Sequence, residues 1–216
     1  MNSKDLFVLP ADTDAAALLK EVLARHEFPG VRKIQFTIGR PHPLHDSGIV
    51  NHGPELVREL VRKDQYRKVI LLWDYEGSGC ETKKPRIPPE KCQERVVGGL
   101  ARVSWKDNST AIVIVPELEE WLWRDPASIR KHLGLNPGEM EEAVDSYTRK
   151  ANTTPECIKS EKPKELLQHL FRLTLQRKKA LPDDFRKIAA RANLKLWCAS
   201  TSFQSLVTTL AAWFPQ

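Results

Sequence analysis

The sequence predicts an α/β fold: a parallel sheet of about four strands flanked by helices, followed by a mostly helical C-terminal part. Three observations carry that expectation. Short apolar runs alternate with amphipathic stretches along the first half of the chain, the pattern of strands joined by crossover helices. Past Glu117 the strand-like runs give way to helical spacing. The 216 residues, 41% of them hydrophobic, are enough to bury one sizeable core.

Taken in order, "DLFVLPA" is a short strand. "DTDAAALLKEVLARHEF" follows as a helix, capped by Asp12 or Thr13, with apolar residues at Ala16, Leu19, Val22 and Leu23 and a stop at Pro29-Gly30. "RKIQFTI" is the second strand. A histidine-rich loop then leads to the helix "GPELVRELVRK", the third strand "KVILLWD", the helix "PPEKCQERVVGGLARVSW" and the fourth strand "TAIVIVP". The rest reads as helices, with Pro155 to Pro163 as a loop and "FQSLVTTLAAWF" as the closing helix. Residues 1–125 are thus expected to form the α/β core and residues 126–216 a helical extension packed on it, as a single compact unit.

Mean hydropathy is −0.44, and no run approaches the roughly 18 apolar residues of a membrane helix, so no membrane partner is expected. "MNSKDLFVLPADTD" lacks the charged, then long apolar, then small-residue order of a secretory signal, which points to the cytoplasm. Cys80, Cys92, Cys157 and Cys198 show neither CxxC nor zinc-finger spacing and read as free thiols. Lys and Arg number 34 against 28 Asp and Glu, a formal charge of +6, and between Lys159 and Arg191 the basic residues outnumber the acids by more than two to one. Such an excess suits a phosphate backbone, DNA or RNA, and equally a solvated helix face.

Ligands collect at the carboxyl ends of strands in an open α/β sheet. Three strand ends here carry acids: Asp12 with Asp14, Asp74 with Glu76, and Glu117 with Glu119 and Glu120. Asp74 and Glu76 are two apart and share a face while strand geometry lasts, and Gly77 and Gly79 permit a sharp turn beside them. Tyr75, between them, is expected to face away and pack. Hard divalent cations such as Mg²⁺ or Mn²⁺ take a few carboxylates plus water and phosphate oxygens, which this cluster offers. Lys83, Lys84 and Arg86 are the nearest cations in sequence to balance it. His42, His45, Asp46 and His52 in the second-strand loop offer either a transition-metal site or a polar loop. Trp121 and Trp123 are expected in the core. Lys159, Lys162 and Lys164, before a helix, and Lys83 with Lys84 are candidate phosphate contacts.

On these residues the chain resembles the TOPRIM fold, whose members pair a strand-one glutamate with a D-x-D motif that holds magnesium. "LLWDYEGSG", "IVPELEEWLWRDP" and "STSFQSLVTTL" are together similar to small TOPRIM-like proteins of bacterial antiphage systems, the fourth component of the methylation-associated defence system among them. The resemblance implies Mg²⁺-dependent phosphodiester hydrolysis, with Asp74, Glu76 and Asp12 holding metal and other defence proteins as possible partners. Laying Thr13 and Asp14 on the family's V-E-G-x-T-D start puts Pro10 where the glutamate stands. Three outcomes stay open: Asp12 takes over the acid-base role, Glu117 does so, or the module no longer cleaves and only binds nucleic acid or a partner protein.

Overall fold

A computed structural model of the chain describes residues 3–25, 30–61 and 65–216. Four strands, β1 (Lys4–Pro10), β2 (Phe36–Ile38), β3 (Tyr66–Asp74) and β4 (Ser109–Ile114), form one sheet in the order β2-β1-β3-β4, and every pairing is parallel. Helices α1 (Thr13–Ala24), α2 (His45–Leu60) and α3 (Pro89–Arg102) make the crossovers. The α/β fold is therefore as the alternation predicts. The expected run of the first helix to Phe28, its stop at Pro29 and the end of the second helix at Arg62 and Lys63 lie outside the described residues.

Each buried strand shows a different side chain to each face, which is what the period of two requires. Leu6, Val8, Ile70, Leu72, Ile112 and Ile114 face Leu18, Leu19 and Val22 of α1. Phe7, Leu9, Val69, Leu71, Trp73, Ala111 and Val113 face Ile49, Val50 and Val57 of α2 and Val96 and Leu100 of α3. The first of these cores continues into the C-terminal helices as far as Phe214.

Those helices are α4 (Glu119–Trp123), α5 (Pro126–Leu133), α6 (Pro137–Ala151), α7 (Pro155–Glu161), α8 (Pro163–Leu175), α9 (Pro182–Arg191), α10 (Leu194–Trp197) and α11 (Thr201–Trp213). Trp121 and Trp123 are both in the core, as expected: Trp121 donates to Ser202 Oγ at 2.7 Å and Trp123 to the Pro163 carbonyl at 2.9 Å. No helix among the described residues is long and apolar enough to cross a membrane.

Two expectations are corrected. The Pro155 to Pro163 loop is instead α7, because Thr154 accepts from Cys157 N at 3.2 Å and Pro155 occupies the first helical position, where its missing N–H costs nothing. The histidine-rich loop becomes helical from His45, eight residues before the glycine and proline that read as a helix start. Gly53 and Pro54 lie inside α2 because of tertiary packing. A Cβ on Gly53 would come within 2.4 Å of Leu71, and one on Gly99 of α3 within 2.5 Å of Pro54. The two residues mark where α2 crosses β3 and meets α3 at close range.

Asp184, at the start of α9, fastens the helical part together. It accepts both guanidinium nitrogens of Arg177 at 2.9 and 3.0 Å, Leu181 N at 2.7 Å, and sits 2.8 Å from His132 Nε2 of α5. Burial works to raise its carboxyl, but Arg177, the Leu181 N–H and His132 together hold it below the ordinary aspartate value. Asp184→Ala leaves a half-buried guanidinium and the Leu181 N–H without their acceptor and should cost about 2 kcal/mol, lowering the melting temperature by roughly 4–8 °C for a chain of this size. A depressed carboxyl adds stability above its unfolded pKa of about 3.9 and loses it as pH falls through the folded value. Thermal melts should therefore show the gap between wild type and variant narrowing below about pH 4.

Candidate functional site

In the order β2-β1-β3-β4 the chain leaves β1 toward one edge and returns on β1's other side as β3. The carboxyl ends of β1 and β3, aligned through the Pro10–Leu72 pair, therefore flank a topological switch point, where a crevice opens between helices leaving in opposite directions.

Asp12 follows β1 and caps α1, its Oδ1 accepting from Ala15 N at 2.7 Å. Asp14, in the first turn of α1, is pushed up to about 6, first by burial and then by Asp12. Asp74 closes β3 and is buried; its N–H donates to Asp46 Oδ1 at 2.8 Å, while no hydrogen bond from a described residue reaches its own carboxylate. Burial above all, then Asp46, Glu119 and Asp12, hold the Asp74 carboxyl well above the usual range. Asp46 belongs to the first turn of α2 and is raised to about 6 by burial and Asp12, against the Asp74 N–H that lowers it.

The fourth strand end adds two more acids. Glu119, the first residue of α4, is buried and raised to about 8; burial outweighs the pull of Lys164, and Glu117 adds to the rise. Glu117 is raised by burial and drawn back by Lys164, whose Nζ donates to its Oε1 at 3.0 Å. Lys164 is the second residue of α8. Burial opposes its charge, but Glu119, Glu117 and Asp74 more than offset that and hold the ammonium above its ordinary value.

The arrangement brings Asp12, Asp74 and Glu117 into one electrostatic cluster with Asp14, Asp46 and Glu119. It sends Glu76 elsewhere. The strand stops at Asp74, so the alternation that would aim Glu76 beside it does not continue; the Glu76 side chain is 47% exposed and faces Arg86 Nη2 at 3.7 Å. Between them Tyr75 is buried, as expected, and its hydroxyl donates to the Ile87 carbonyl at 2.6 Å. Gly77 turns with φ of 87°, and a Cβ there would approach Asp46 Oδ2 to 3.2 Å.

Lys83 and Lys84 are exposed in the loop after Glu76 and do not supply the cluster's counter-charge, and Arg86 is occupied with Glu76 and the Tyr75 hydroxyl. The balancing cation is Lys164, ninety residues beyond Asp74. Of its predicted companions, Lys162 is exposed at the α7–α8 corner and Lys159 lies over the Trp123 ring at 5.9 Å.

The cysteines correct a further expectation. Cys80 and Cys92 are joined in a disulfide that ties this loop to α3, while Cys157 and Cys198 are free. The spacing gave no hint because the glycine turn, not a CxxC motif, brings the two together. Of the histidine segment, His42 and His52 rings lie 5.6 Å apart and Asp46 serves Asp74. Among the described residues no three His, Cys, Asp or Glu side chains stand close enough, as placed, to hold one metal ion.

The model of the family described as a domain of unknown function, DUF4276, matches residues 14–211. The chain belongs to that family. No curated protein and no solved structure matches it.

Sequence reasoning missed Asp46 as a member of the cluster and Lys164 as its cation. No local pattern could have found either, since Asp46 was read in a loop and Lys164 in a basic patch.

The raised carboxyls have a measurable consequence. A group whose folded pKa lies above its unfolded value stabilises below the unfolded value, and the contribution is lost as pH rises through the folded one. For Glu119 that window runs from the ordinary glutamate range to about 8. Glu119→Gln should leave the melting temperature near that of wild type at pH 5 and raise it by several degrees at pH 8.5 in EDTA, as followed by circular dichroism.

Proposed function

We propose that this chain is a metal-dependent, TOPRIM-like nuclease or related phosphoryl-transfer effector of bacterial antiphage defence, working on nucleic acid in the cytoplasm. The observation that carries the reading is the pair of buried carboxylates, Asp74 and Glu119, that receive no hydrogen bond from a described side chain at the β1/β3 switch point. A buried carboxyl takes up a proton, is given hydrogen bonds or meets a cation, and this pair is joined by Asp12 and Asp46.

Hard oxygen donors of this kind suit Mg²⁺ or Mn²⁺. As placed, no three acids among the described residues stand close enough to hold one ion, so Asp74, Asp46, Asp12 and Glu119 would have to draw together to bind it, and a bound divalent ion polarises a scissile phosphate. The protein's own groups supply the rest. Glu117 is half-buried at the mouth and raised by burial, which suits it to take a proton from the attacking water. Asp12 is held in place by the Ala15 N–H that its Oδ1 accepts. Lys83, Lys84 and Lys162 are exposed for phosphate contact. Glu76 is exposed and paired with Arg86, and takes no part in this set.

A second reading has an observation of its own. Pro10 replaces the strand-one glutamate, and an ammonium already balances the acids, which favours a silent module that binds nucleic acid or a partner protein of a defence complex.

Incubating the protein with single- and double-stranded DNA and RNA in Mg²⁺ or Mn²⁺ separates the two. Cleavage that falls at least about 100-fold in Asp74→Asn, the scale of a positioned catalytic group, supports the nuclease; nucleic-acid binding with no cleavage in either metal supports the silent module. Lys83→Glu, Lys84→Glu and Lys162→Glu together should weaken binding and make its dependence on salt shallower by about the number of lost phosphate contacts. An unchanged slope in filter binding would remove these lysines from the interface.

A further inference from the structure

We infer that the cavity bounded by β4, α3 and α11 is a guanine-binding pocket, in which Glu120 accepts the two adjacent N–H groups of the base and the first turn of α11 donates to its carbonyl. The inference rests on the nucleic-acid reading above and names the base that the chain selects.

The cavity measures about 490 Å³, room for a single nucleoside, and Pro89, Val113 and Val115 give it apolar walls. Glu120 is the lining residue that lacks a partner. Its side chain is only 6% exposed, Oε1 accepts both Nε and Nη2 of Arg124, and Oε2 is buried with no hydrogen bond from any described residue. A buried acceptor without a donor is costly. Arg124 also lines the cavity and is 40% exposed, so it can turn outward and leave both carboxylate oxygens open to an incoming group. The first turn of α11 supplies donors. That helix begins at the same cavity with no side-chain cap on its first N–H groups, and Thr201 and Ser205 add exposed hydroxyls. Ser202 Oγ accepts from Trp121 Nε1 at 2.7 Å and so keeps its own O–H to give.

The base follows from this order of acceptors and donors. Guanine alone of the common bases sets two neighbouring N–H groups beside a carbonyl, and the N–H pair repeats the guanidinium that now occupies Glu120. Adenine and cytosine would turn a ring lone pair toward the carboxylate, and uracil or thymine would flank a single N–H with two carbonyls. Each leaves a buried oxygen unpaired or repelled. A cationic ligand with the same N–H pair is disfavoured by the chain's net charge of +6, which a nucleotide's phosphate complements. The segment from Val115 to Arg124 borders this cavity and also carries Glu117 and Glu119 of the acid cluster, so a base held here belongs to a strand that passes the acids. Arg124, once turned outward, is left to meet a phosphate.

The test is calorimetric titration of GMP, IMP, AMP, CMP and UMP into the full chain in EDTA, so that the shared phosphate cancels from the comparison. GMP should bind at least about tenfold tighter than AMP, CMP or UMP, the scale of one bidentate base contact, and IMP, which lacks the 2-amino group, should fall between. Glu120→Gln should remove the preference. Because Glu120 is buried, a second variant keeps binding apart from folding: Ser205→Phe, which fills the cavity from an exposed helix position, should abolish GMP binding at an unchanged melting temperature. Nucleotides bound alike, GMP bound as tightly by Ser205→Phe as by wild type, or no binding of GMP overturns the pocket. The cleavage assay, run with metal and polynucleotide, decides the nuclease reading separately.

Discussion

Carboxylates removed from water beside other carboxylates must find a cation, take up protons or be given hydrogen bonds, and the architecture around the β1/β3 switch point is ordered by that requirement. Each of the three answers is in use. Asp46 receives the Asp74 N–H, and Asp12 that of Ala15. Asp14, Asp46, Asp74 and Glu119 hold protons above the ordinary range. Lys164 supplies positive charge. The N-terminal ends of α1 and α2 add their partial positive charge where Asp14 and Asp46 sit in the first turns. These means are spread over five elements, so the acids can be gathered only after the sheet and its flanking helices are in place.

The loop after β3 shows how local geometry divides the acids. Tyr75 N donates to Ile114 O at 2.7 Å and Glu76 N to Pro116 O at 3.1 Å, so the backbone stays tied to the β4 side for two residues past the strand. Side-chain direction does not follow the strand pattern there. Tyr75 is drawn inward by its bond to Ile87 and covered by Arg86, whose guanidinium lies 5.0 Å from the ring centre. Glu76 is thereby left outside with that same arginine. Glu81 then accepts from Gly77 N and Ser78 Oγ, and the Cys80–Cys92 disulfide anchors the turn to α3. A loop fixed at this many points holds Gly77 against Asp46 and so keeps Asp46 under the Asp74 N–H.

The strands were legible because a strand buried on both faces has no choice but to be apolar throughout: "VILLW" can be little else in a chain of this composition. The acids at strand ends were legible for a related reason, since they interrupt such runs abruptly. Residues whose role is set by long-range packing were not. Gly53 and Pro54 read as a helix boundary, yet they are the thin part of α2 that lets Leu71 and Gly99 come close. Pro155 and Pro163 read as loop punctuation but open α7 and α8, as Pro126, Pro137 and Pro182 open α5, α6 and α9. Proline at the first helical position and proline in a loop share a sequence signature; a side-chain cap from Thr154 or Asn136 marks α7 and α6, but α5 and α8 open at Pro126 and Pro163 without one.

The C-terminal helices belong to the site and not merely to its support. The core that begins at Leu6 runs through α8 and α9 to Phe214, with α1 packed on α9. That packing sets where α8 begins, and the beginning of α8 decides where Lys164 reaches. An α/β core of residues 1–125 alone would carry Asp12, Asp14, Asp46, Asp74, Glu117 and Glu119 with Lys164 missing. Its acids would have to take up more protons or spread apart, and Glu117 would lose its hydrogen-bond donor. The charge balance of the switch point therefore couples the two halves of the chain: whatever shifts α8 shifts Lys164, the cation that acts on Asp74, Glu117 and Glu119 alike.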